Sequence, residues 1–284
     1  MNTPELLLLG GPNSGKTHYA GQLYGRLRRR PGALKLRQDQ GTPIDLSSLD
    51  EVFNCLEEGR AAGHTPTDTW SEILLPLVDK NGRCLDLRWP DYGGEQLNSV
   101  FEQREISEKW RSRLVEADGW MILIRLENEA TFDSALEQLV GRPSDGAPPS
   151  ARPDTWDANA KWVELLQLLL HVSGAGTHKK LGKPKLAILL SCYDEIKSPQ
   201  DIPCNVLGEY LPLLSSFINS NWSSDSLSVW GLSSLGVPLT PGDSNGDSNG
   251  DFIDEGPEEQ GWVISPEGGK HDDLSKPLAW LLEA

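Results

Sequence analysis

Apolar residues along this chain of 284 residues fall into short continuous runs that alternate with longer stretches of helical spacing. The continuous runs predict buried strands at 5–9, 120–126, 186–190 and 227–232. The helical spacing predicts helices at 17–30, 46–60, 95–116, 132–140, 155–171, 206–218 and 274–283. Strands that alternate with helices indicate an α/β fold, with a mostly parallel sheet and helices on both of its faces.

Two further apolar runs, 73–78 and 84–89, are separated by a turn that contains Asn81-Gly82. Asn-Gly between two apolar runs is the strongest short-range signal for a β-hairpin, because both residues tolerate the positive φ angles of a tight turn. We therefore expect one antiparallel hairpin strand in an otherwise parallel sheet.

Two segments have the composition of loops. The stretch 144–154 is rich in Pro, Gly and Ala, which predicts a mobile insertion near 142–155. The stretch 241–259 has few apolar residues and repeats Gly-Asp-Ser-Asn, which predicts an acidic flexible loop near 237–269. Its alternating Asp and Asn leave calcium binding as an alternative, although the twelfth-position Glu of an EF-hand is absent. With these insertions, residues 1–284 are expected to form a single domain.

The formal net charge of −16 argues against nucleic acid as a partner, because the chain as a whole repels polyanions. Its four cysteines have no metal-binding or disulfide spacing. The start of the chain lacks the basic region of a signal peptide, and no apolar run approaches the roughly 20 residues of a membrane span. We expect a cytoplasmic protein with no transmembrane segment. A basic cluster at 26–37 is explained either by a helix C-terminus, which favours cations, or by an acidic partner or membrane surface.

The most specific motif begins directly after the first predicted strand, where residues 10–17 read Gly-Gly-Pro-Asn-Ser-Gly-Lys-Thr. This is the pattern GxxxxGK[ST] of a phosphate-binding loop. Its glycines let backbone N–H groups point at phosphate oxygens, its lysine reaches the β- and γ-phosphates, and its hydroxyl ligates Mg²⁺. The residues expected to bind the nucleotide here are Gly11, Pro12, Asn13, Ser14, Gly15, Lys16, Thr17 and His18.

A second motif, Asp91-Tyr92-Gly93-Gly94, ends the second hairpin strand. In a phosphate-switch protein, the Asp of Asp-x-x-Gly holds Mg²⁺ through water, and the Gly offers its backbone N–H to the γ-phosphate. Glycine can also change its peptide orientation when that phosphate leaves. The position after a hairpin, itself downstream of a phosphate loop, makes the motif more specific than its short length suggests.

With these motifs the chain resembles the translation-factor-related (TRAFAC) class of P-loop GTPases, which includes the small GTPases and the Era-like proteins. Residues 10–16 are similar to the Era-type phosphate loop, and residues 91–95 to the Asp-x-x-Gly-Gln of small GTPases. The added helix before the switch region and the Gly-Gly-Glu ending also resemble bacterial double-GTPase-type domains of conflict and defence gene clusters. The resemblance implies a three-layer P-loop NTPase fold with helical and loop insertions.

The resemblance also implies roles for residues outside the phosphate loop. Thr69, with Thr67 as its alternative, would bind Mg²⁺ together with Thr17 and Asp91. Ser191-Cys192-Tyr193-Asp194 stands where this class carries Asn/Thr-Lys-x-Asp. Asp194 would accept two hydrogen bonds from guanine, and Cys192 replaces the lysine that packs over the base. The remaining base contacts would come from the backbone of Ser233, Ser234 and Leu235.

By the same resemblance, Lys16, Gly94 and Glu95 would act in hydrolysis. Glu95 stands in place of the glutamine that orients the attacking water, so we expect slow turnover that an activating protein accelerates. The leading hypothesis is a Mg²⁺-dependent GTP/GDP switch that binds an effector protein. The alternatives are a non-hydrolysing interaction module with the same fold, and an ATP-using phosphotransferase. Guanine recognition by Asp194 disfavours the latter.

Overall fold

A computed structural model of the chain describes residues 4–37, 45–62, 70–92, 94–131, 156–175, 178–196, 198–237, 239 and 250–283. The strands, in chain order, are β1 (Leu6–Gly10), β2 (Leu34–Leu36), β3 (Trp70–Asp79), β4 (Cys84–Tyr92), β5 (Gly119–Ile124), β6 (Lys185–Ser191), β7 (Leu227–Ser233), β8 (Trp262–Ile264) and β9 (Lys270–His271). The helices are α1 (Lys16–Arg29), α2 (Ser47–Glu57), α3 (Gly94–Gln103), α4 (Glu108–Glu116), α5 (Ala158–Ser173), α6 (Pro203–Tyr210), α7 (Pro212–Asn221), α8 (Gly250–Glu255) and α9 (Lys276–Leu282).

The larger sheet has the strand order β1-β5-β6-β7-β8-β9. Its first four strands are parallel, with Gly10 opposite Leu123 and Ser191 opposite Leu232. Every residue of β1 and β5 is buried. Continuous apolar runs are expected for strands that are covered on both faces. The predicted fold class, α/β with a mostly parallel sheet, is confirmed.

Two hydrophobic clusters lie on opposite faces of this sheet and produce three layers. Leu7, Leu9 and Ile122 belong to the cluster on one face, which includes residues of α3 to α7. Leu6, Leu8 and Met121 belong to the cluster on the other face, which includes residues of α1, α2, α9 and the hairpin. Successive residues of a strand point to opposite faces, so one buried strand contributes to both clusters.

The predicted hairpin is present, but its place in the fold differs from the expectation of one antiparallel strand within the main sheet. β3 and β4 pair with each other and with β2 in a separate three-stranded sheet, in which β4 lies next to β1. The antiparallel strands of the main sheet are instead β8 and β9 at its far edge.

Two predicted helices are each divided into two shorter ones. The helix at 95–116 breaks after α3, where Arg104 has a φ of 55°, and α4 restarts behind Ser107, whose hydroxyl accepts from the Trp110 N–H at 3.3 Å. The helix at 206–218 breaks at Pro212, because proline has no N–H to continue the helical hydrogen bonds.

The prediction of a flexible loop near 237–269 is wrong for its second half. Residues 250–264 form α8, a short 3₁₀ turn (Pro257–Glu259) and β8. Phe252, Val263 and Ile264 are buried, so a few apolar residues anchor a segment whose overall composition is polar. The Asp/Asn repeat at 242–249, the insertion near 142–155 and the predicted helix at 132–140 lie outside the described residues.

The basic cluster pairs within the chain. Arg28 bonds to Asp50 at 3.0 Å, and Arg29 bonds to Glu57 at 2.6 Å and to Glu258 at 3.2 Å. Arg26 is buried and donates to the Gln260 carbonyl at 2.8 Å. The C-terminal end of α1 is therefore attached to the acidic segment at 257–261. Among the described helices, none is long and apolar enough to cross a bilayer.

Two glycines on α1 allow α2 to approach closely. A Cβ atom at Gly21 would lie 2.3 Å from Val52 Cγ1, and one at Gly25 would lie 2.1 Å from Phe53 Cε2. Both distances are shorter than real Cβ contacts, so the α1–α2 contact requires glycine at these positions.

We predict that Gly25→Ala lowers the free energy of unfolding by about 1–3 kcal/mol, because the buried Phe53 ring must move. Gly208→Ala is the matched control, since a Cβ there would make an ordinary 3.8 Å contact with Ser215 Oγ. Alanine in a helix interior is favoured by about 0.5–1 kcal/mol over glycine, so this control should not destabilise. Urea unfolding measures both, and an unchanged midpoint for Gly25→Ala would show that α2 shifts without cost.

Candidate nucleotide-binding site

The candidate residues gather at one edge of the main sheet. Because β1, β5, β6 and β7 are parallel and paired in register, their carboxyl ends lie at the same edge. Loops at this edge are the usual ligand-binding positions of open α/β sheets. The phosphate loop follows β1, and the loops that contain Asp194 and Ser234 follow β6 and β7.

The phosphate loop is held in a tight curve by its own side chains. Ser14 Oγ donates to the Gly11 carbonyl at 2.8 Å, and Lys16 Nζ donates to the carbonyls of Gly10 and Gly11 at 2.7 and 3.0 Å. Gly15 has a φ of +81° and directly precedes α1, where glycine avoids the strain of a left-handed conformation. The lysine ammonium thus lies across the loop at the positive end of a helix.

The first glycine of the motif is required because a side chain at this position would clash with its neighbours. A Cβ atom at Gly10 would lie 2.5 Å from Ser14 Oγ and 3.2 Å from the Leu123 carbonyl oxygen. Thr17 and His18 follow Lys16 in the first turn of α1. His18 Nε2 accepts from the Ala62 N–H at 3.2 Å, so its ring links α1 to the segment after α2. Nucleotide contact by His18 stays a prediction.

The candidate base-reading loop lies beside the phosphate loop. Ser191 ends β6, and a Cβ atom built on Gly15 would lie 4.0 Å from Ser191 Cβ. Cys192 follows with a φ of 51°, and residues Tyr193–Glu195 form one 3₁₀ turn. Asp194 is half-buried and accepts no hydrogen bond from the described residues. Burial raises the pKa of the Cys192 thiol to about 11, and the neighbouring guanidinium of Arg125 opposes that shift.

Tyr193 attaches this turn to the sheet, a role that the sequence did not reveal. Its side chain is fully buried, and its hydroxyl donates to the Asp201 carbonyl at 2.8 Å. The ring lies against Gly231 in β7, where a Cβ would be 2.7 Å from Tyr193 Cδ1. Burial raises the pKa of the phenol, which therefore stays protonated at physiological pH. The turn with Asp194 is thus fixed to the sheet.

The third loop, Ser233 to Leu235, is supported by the acidic segment at 257–261. Ser233 is buried and its Oγ accepts from the Gly236 N–H at 3.0 Å. Gly261 has a φ of +82°, and a Cβ there would lie 2.3 Å from the Ser234 carbonyl oxygen. The backbone that is expected to contact the base therefore rests on a glycine that no sequence motif indicated.

The switch residues are described only in part. Thr67 and Thr69 lie outside the described residues. Asp91 pairs with Ser71 near the end of β4, which lies next to β1. Gly94 and Glu95 begin α3, and three residues later the same helix contributes Leu97 and Asn98 to a cavity shared with the phosphate loop. The start of α3 is therefore near that loop.

That cavity has a volume of about 380 Å³, and its walls include Gly11 and Ser14 as well as Arg125, Glu129 and Lys161. Lys161 Nζ donates to Asn98 Oδ1 at 2.9 Å and so joins α5 to α3. Burial raises the pKa of Glu129, a shift that Lys161 partly opposes. These charged residues belong to no recognised motif and are distant from one another in the chain, so the sequence did not indicate them.

Mg²⁺ prefers oxygen ligands and keeps several waters. Thr and Asp side chains carry oxygens of this kind, so the residue types of the two expected ligands Thr17 and Asp91 fit the ion. No cluster of three or more His, Cys, Asp or Glu side chains that could hold a metal occurs within the described residues.

A buried strand that leads through a glycine-rich loop into a helix, at the edge of a mostly parallel sheet, defines a P-loop GTPase-like α/β fold. The family model of Double-GTPase 1 matches residues 7–281, so the chain belongs to the Double-GTPase 1 family. The resemblance stated from the motifs is thereby confirmed.

No curated protein matches the chain significantly. Among solved structures, the signal recognition particle receptor SRb-GTP/SRX complex from Chaetomium thermophilum is similar at 15% identity and a TM-score of 0.41, over 84% of this chain and 94% of that chain. The GTP-bound Ski7 GTPase-like domain of S. cerevisiae has 15% identity and a TM-score of 0.43, over 82% of this chain and 43% of that chain. A bacterial selenocysteine-specific elongation factor, EF-Sec, has 10% identity and a TM-score of 0.35, over 83% and 26%.

Proposed function

We propose that this protein is a guanine-nucleotide switch, which binds GTP and GDP, hydrolyses GTP slowly with Mg²⁺, and acts by binding an effector protein. The observation that carries the proposal is the adjacency of two loops on one sheet edge. Gly15 of the phosphate loop lies next to Ser191, three residues before Asp194. One bound nucleotide could therefore have its phosphates at the first loop and its base at the second.

Phosphate binding would use the backbone N–H groups of residues 13–17, the ammonium of Lys16 and the N-terminal dipole of α1. Lys16 already lies across the loop through the carbonyls of Gly10 and Gly11. Its Nζ can therefore meet a β- or γ-phosphate with little reorganisation, which favours binding.

Base selection would rest on Asp194. Its carboxylate can accept from both the N1–H and the 2-amino group of guanine, whereas adenine presents no such pair of donors. Tyr193 anchors the turn that carries Asp194 to the sheet. The loop at Ser233–Leu235 would offer backbone N–H groups to the other side of the base. A carboxylate held in a fixed position binds guanine more tightly than a mobile one, because less entropy is lost on binding.

Hydrolysis would depend mainly on the positioning of the attacking water and the γ-phosphate. Glu95 at the start of α3 would accept a hydrogen bond from the attacking water, and Gly94 would offer its N–H to the γ-phosphate. The negative charge of Glu95 near that phosphate makes slow turnover the expected result. Mg²⁺, held through Thr17, Asp91 and Thr69 or Thr67, would supply charge neutralisation of the phosphate oxygens.

A non-hydrolysing interaction module is the second candidate. It is favoured by Cys192 and Glu95, which stand where the resembled GTPase class carries lysine and glutamine. Such a module would bind nucleotide through the same loops but would show no turnover.

Lys16→Ala should weaken GTP binding at least tenfold, about 1.4 kcal/mol or more, because it removes the ammonium that meets the phosphates. Lys80→Ala, which removes an exposed cation from the hairpin turn, should leave the affinity unchanged. Titration with a fluorescent GTP analogue measures both, and thermal melting checks that the half-buried Lys16 can be replaced without unfolding. Wild-type affinity in a folded Lys16→Ala protein would contradict the proposed phosphate site.

Wild-type protein should prefer GTP over ATP by at least tenfold, about 1.4 kcal/mol. Asp194→Asn should reduce this preference and improve the binding of XTP, because an amide donates to the 2-carbonyl of xanthine but cannot accept twice from guanine. Asp201→Asn, on the exposed segment after the same loop, is the matched control. Competition titrations with the three nucleotides give the ratios, and equal binding of ATP and GTP by the wild type would favour the phosphotransferase alternative.

Glu95→Ala should slow single-turnover GTP hydrolysis without weakening GTP binding, the result expected for an interaction made only in the transition state. Glu102→Ala is the control, because it removes an exposed carboxylate from the end of the same helix. A wild-type rate that vanishes in Lys16→Ala but survives in Glu95→Ala would leave Gln96 or a partner's arginine as the next candidate. Negligible wild-type turnover in the presence of Mg²⁺ would favour the non-hydrolysing module.

A further inference from the structure

We infer that Arg125 is a positioning residue for guanine recognition, because it holds the turn that carries Asp194 through a two-bonded ion pair with Glu195. The inference rests on the proposed function. Arg125 directly follows β5, the strand that lies between β1 with its phosphate loop and β6 with its base-reading loop. No sequence motif contains it.

The contact is a fork in which two guanidinium nitrogens meet both carboxylate oxygens. Arg125 Nε donates to Glu195 Oε2 at 2.9 Å, and a terminal nitrogen donates to Oε1 at 2.6 Å. Such paired bonds fix the direction of the partner as well as its distance. The two side chains are only 30% and 25% exposed, so solvent weakens the pair less than it weakens a surface pair.

Glu195 is the residue after Asp194, and both lie in the same 3₁₀ turn. The fork therefore fixes one end of the turn, and Tyr193, bonded to the Asp201 carbonyl, fixes the other. Asp194 lies between these two anchors. Its backbone position is determined by residues on three different strands or loops, although its own carboxylate stays available for a ligand.

Arg125 also places a positive charge where this loop needs one. Hydrogen bonding to Glu195 raises the pKa of the guanidinium, and Asp194 and Cys192 are close enough to contribute. Without Arg125, two neighbouring carboxylates would repel each other beside the base. Glu195 would then turn away from the sheet and alter the direction of Asp194. Arg125 also lines the cavity beside Gly11 and Ser14, but its guanidinium is engaged by Glu195 on the side of the base-reading loop.

The test compares Arg125→Gln, Glu195→Gln and the double variant with wild type, using GTP, ATP and XTP as competitors of a fluorescent GTP analogue. Each single variant should lose about tenfold in GTP affinity, the effect of one charge-assisted pair. ATP affinity should change little, so the GTP-to-ATP ratio falls. The double variant should be no worse than either single variant, because both remove the same contact. The charge exchange Arg125→Glu with Glu195→Arg should recover part of the ratio.

Arg113→Gln is the matched control, since Arg113 pairs with Glu5 at 3.1 Å with similar exposures of 22% and 17%, at the opposite edge of the sheet. It should leave all three affinities unchanged, while thermal melting reports any loss of stability in each variant. A fall of GTP and ATP affinity by the same factor in Arg125→Gln would indicate general loosening and overturn the inference, as would an unchanged GTP-to-ATP ratio. A wild type that does not prefer GTP would overturn the proposed function as well.

Discussion

Parallel pairing of β1, β5, β6 and β7 is the constraint on which the candidate site depends. Because these strands are hydrogen-bonded in register, the loops after them emerge at one edge at nearly the same height. Each strand is buried on both faces, so a shift of register by one residue would exchange its contributions to the two clusters of the core. The packing of the core thus fixes where Gly15, Arg125 and Asp194 lie relative to one another.

Helix α1 connects this edge to the rest of the molecule. Its first turn forms the end of the phosphate loop, while Gln22 and Arg26 donate to backbone carbonyls of the segment at 257–261. Gly261 in that segment also lies against the Ser234 carbonyl, in the third candidate loop. A displacement of α1 would therefore affect the phosphate end and the base end of the site together. This link gives the acidic segment a structural role that its composition conceals.

The sequence predicted what local patterns determine. Continuous apolar runs indicated the central strands, GxxxxGK[ST] indicated the loop and helix at its end, and Asn81-Gly82 indicated the hairpin. It did not predict that the hairpin pairs with β2 in a separate small sheet, because β2 has only three residues and too short a pattern to recognise. It also missed the ordered structure at 250–264, where buried apolar side chains such as Phe252, Val263 and Ile264 anchor a segment that is polar on average. Arg125 and Glu129 carried a weak signal, since each is a charged residue shortly after a buried strand.

The net charge of −16 and a site for a polyphosphate are compatible on physical grounds. At physiological ionic strength the screening length is about 8 Å, so acidic residues on distant surfaces contribute little at the phosphate loop. The arginines at the end of α1 are engaged with acidic side chains and carbonyls of the same chain, so they do not supply the missing attraction. Short-range groups would have to do so: the ammonium of Lys16, the helix terminus and inward-facing N–H groups, with Lys161 in the adjoining cavity. Binding that depends on such oriented groups is selective, because it requires the shape of a nucleotide and not only its charge.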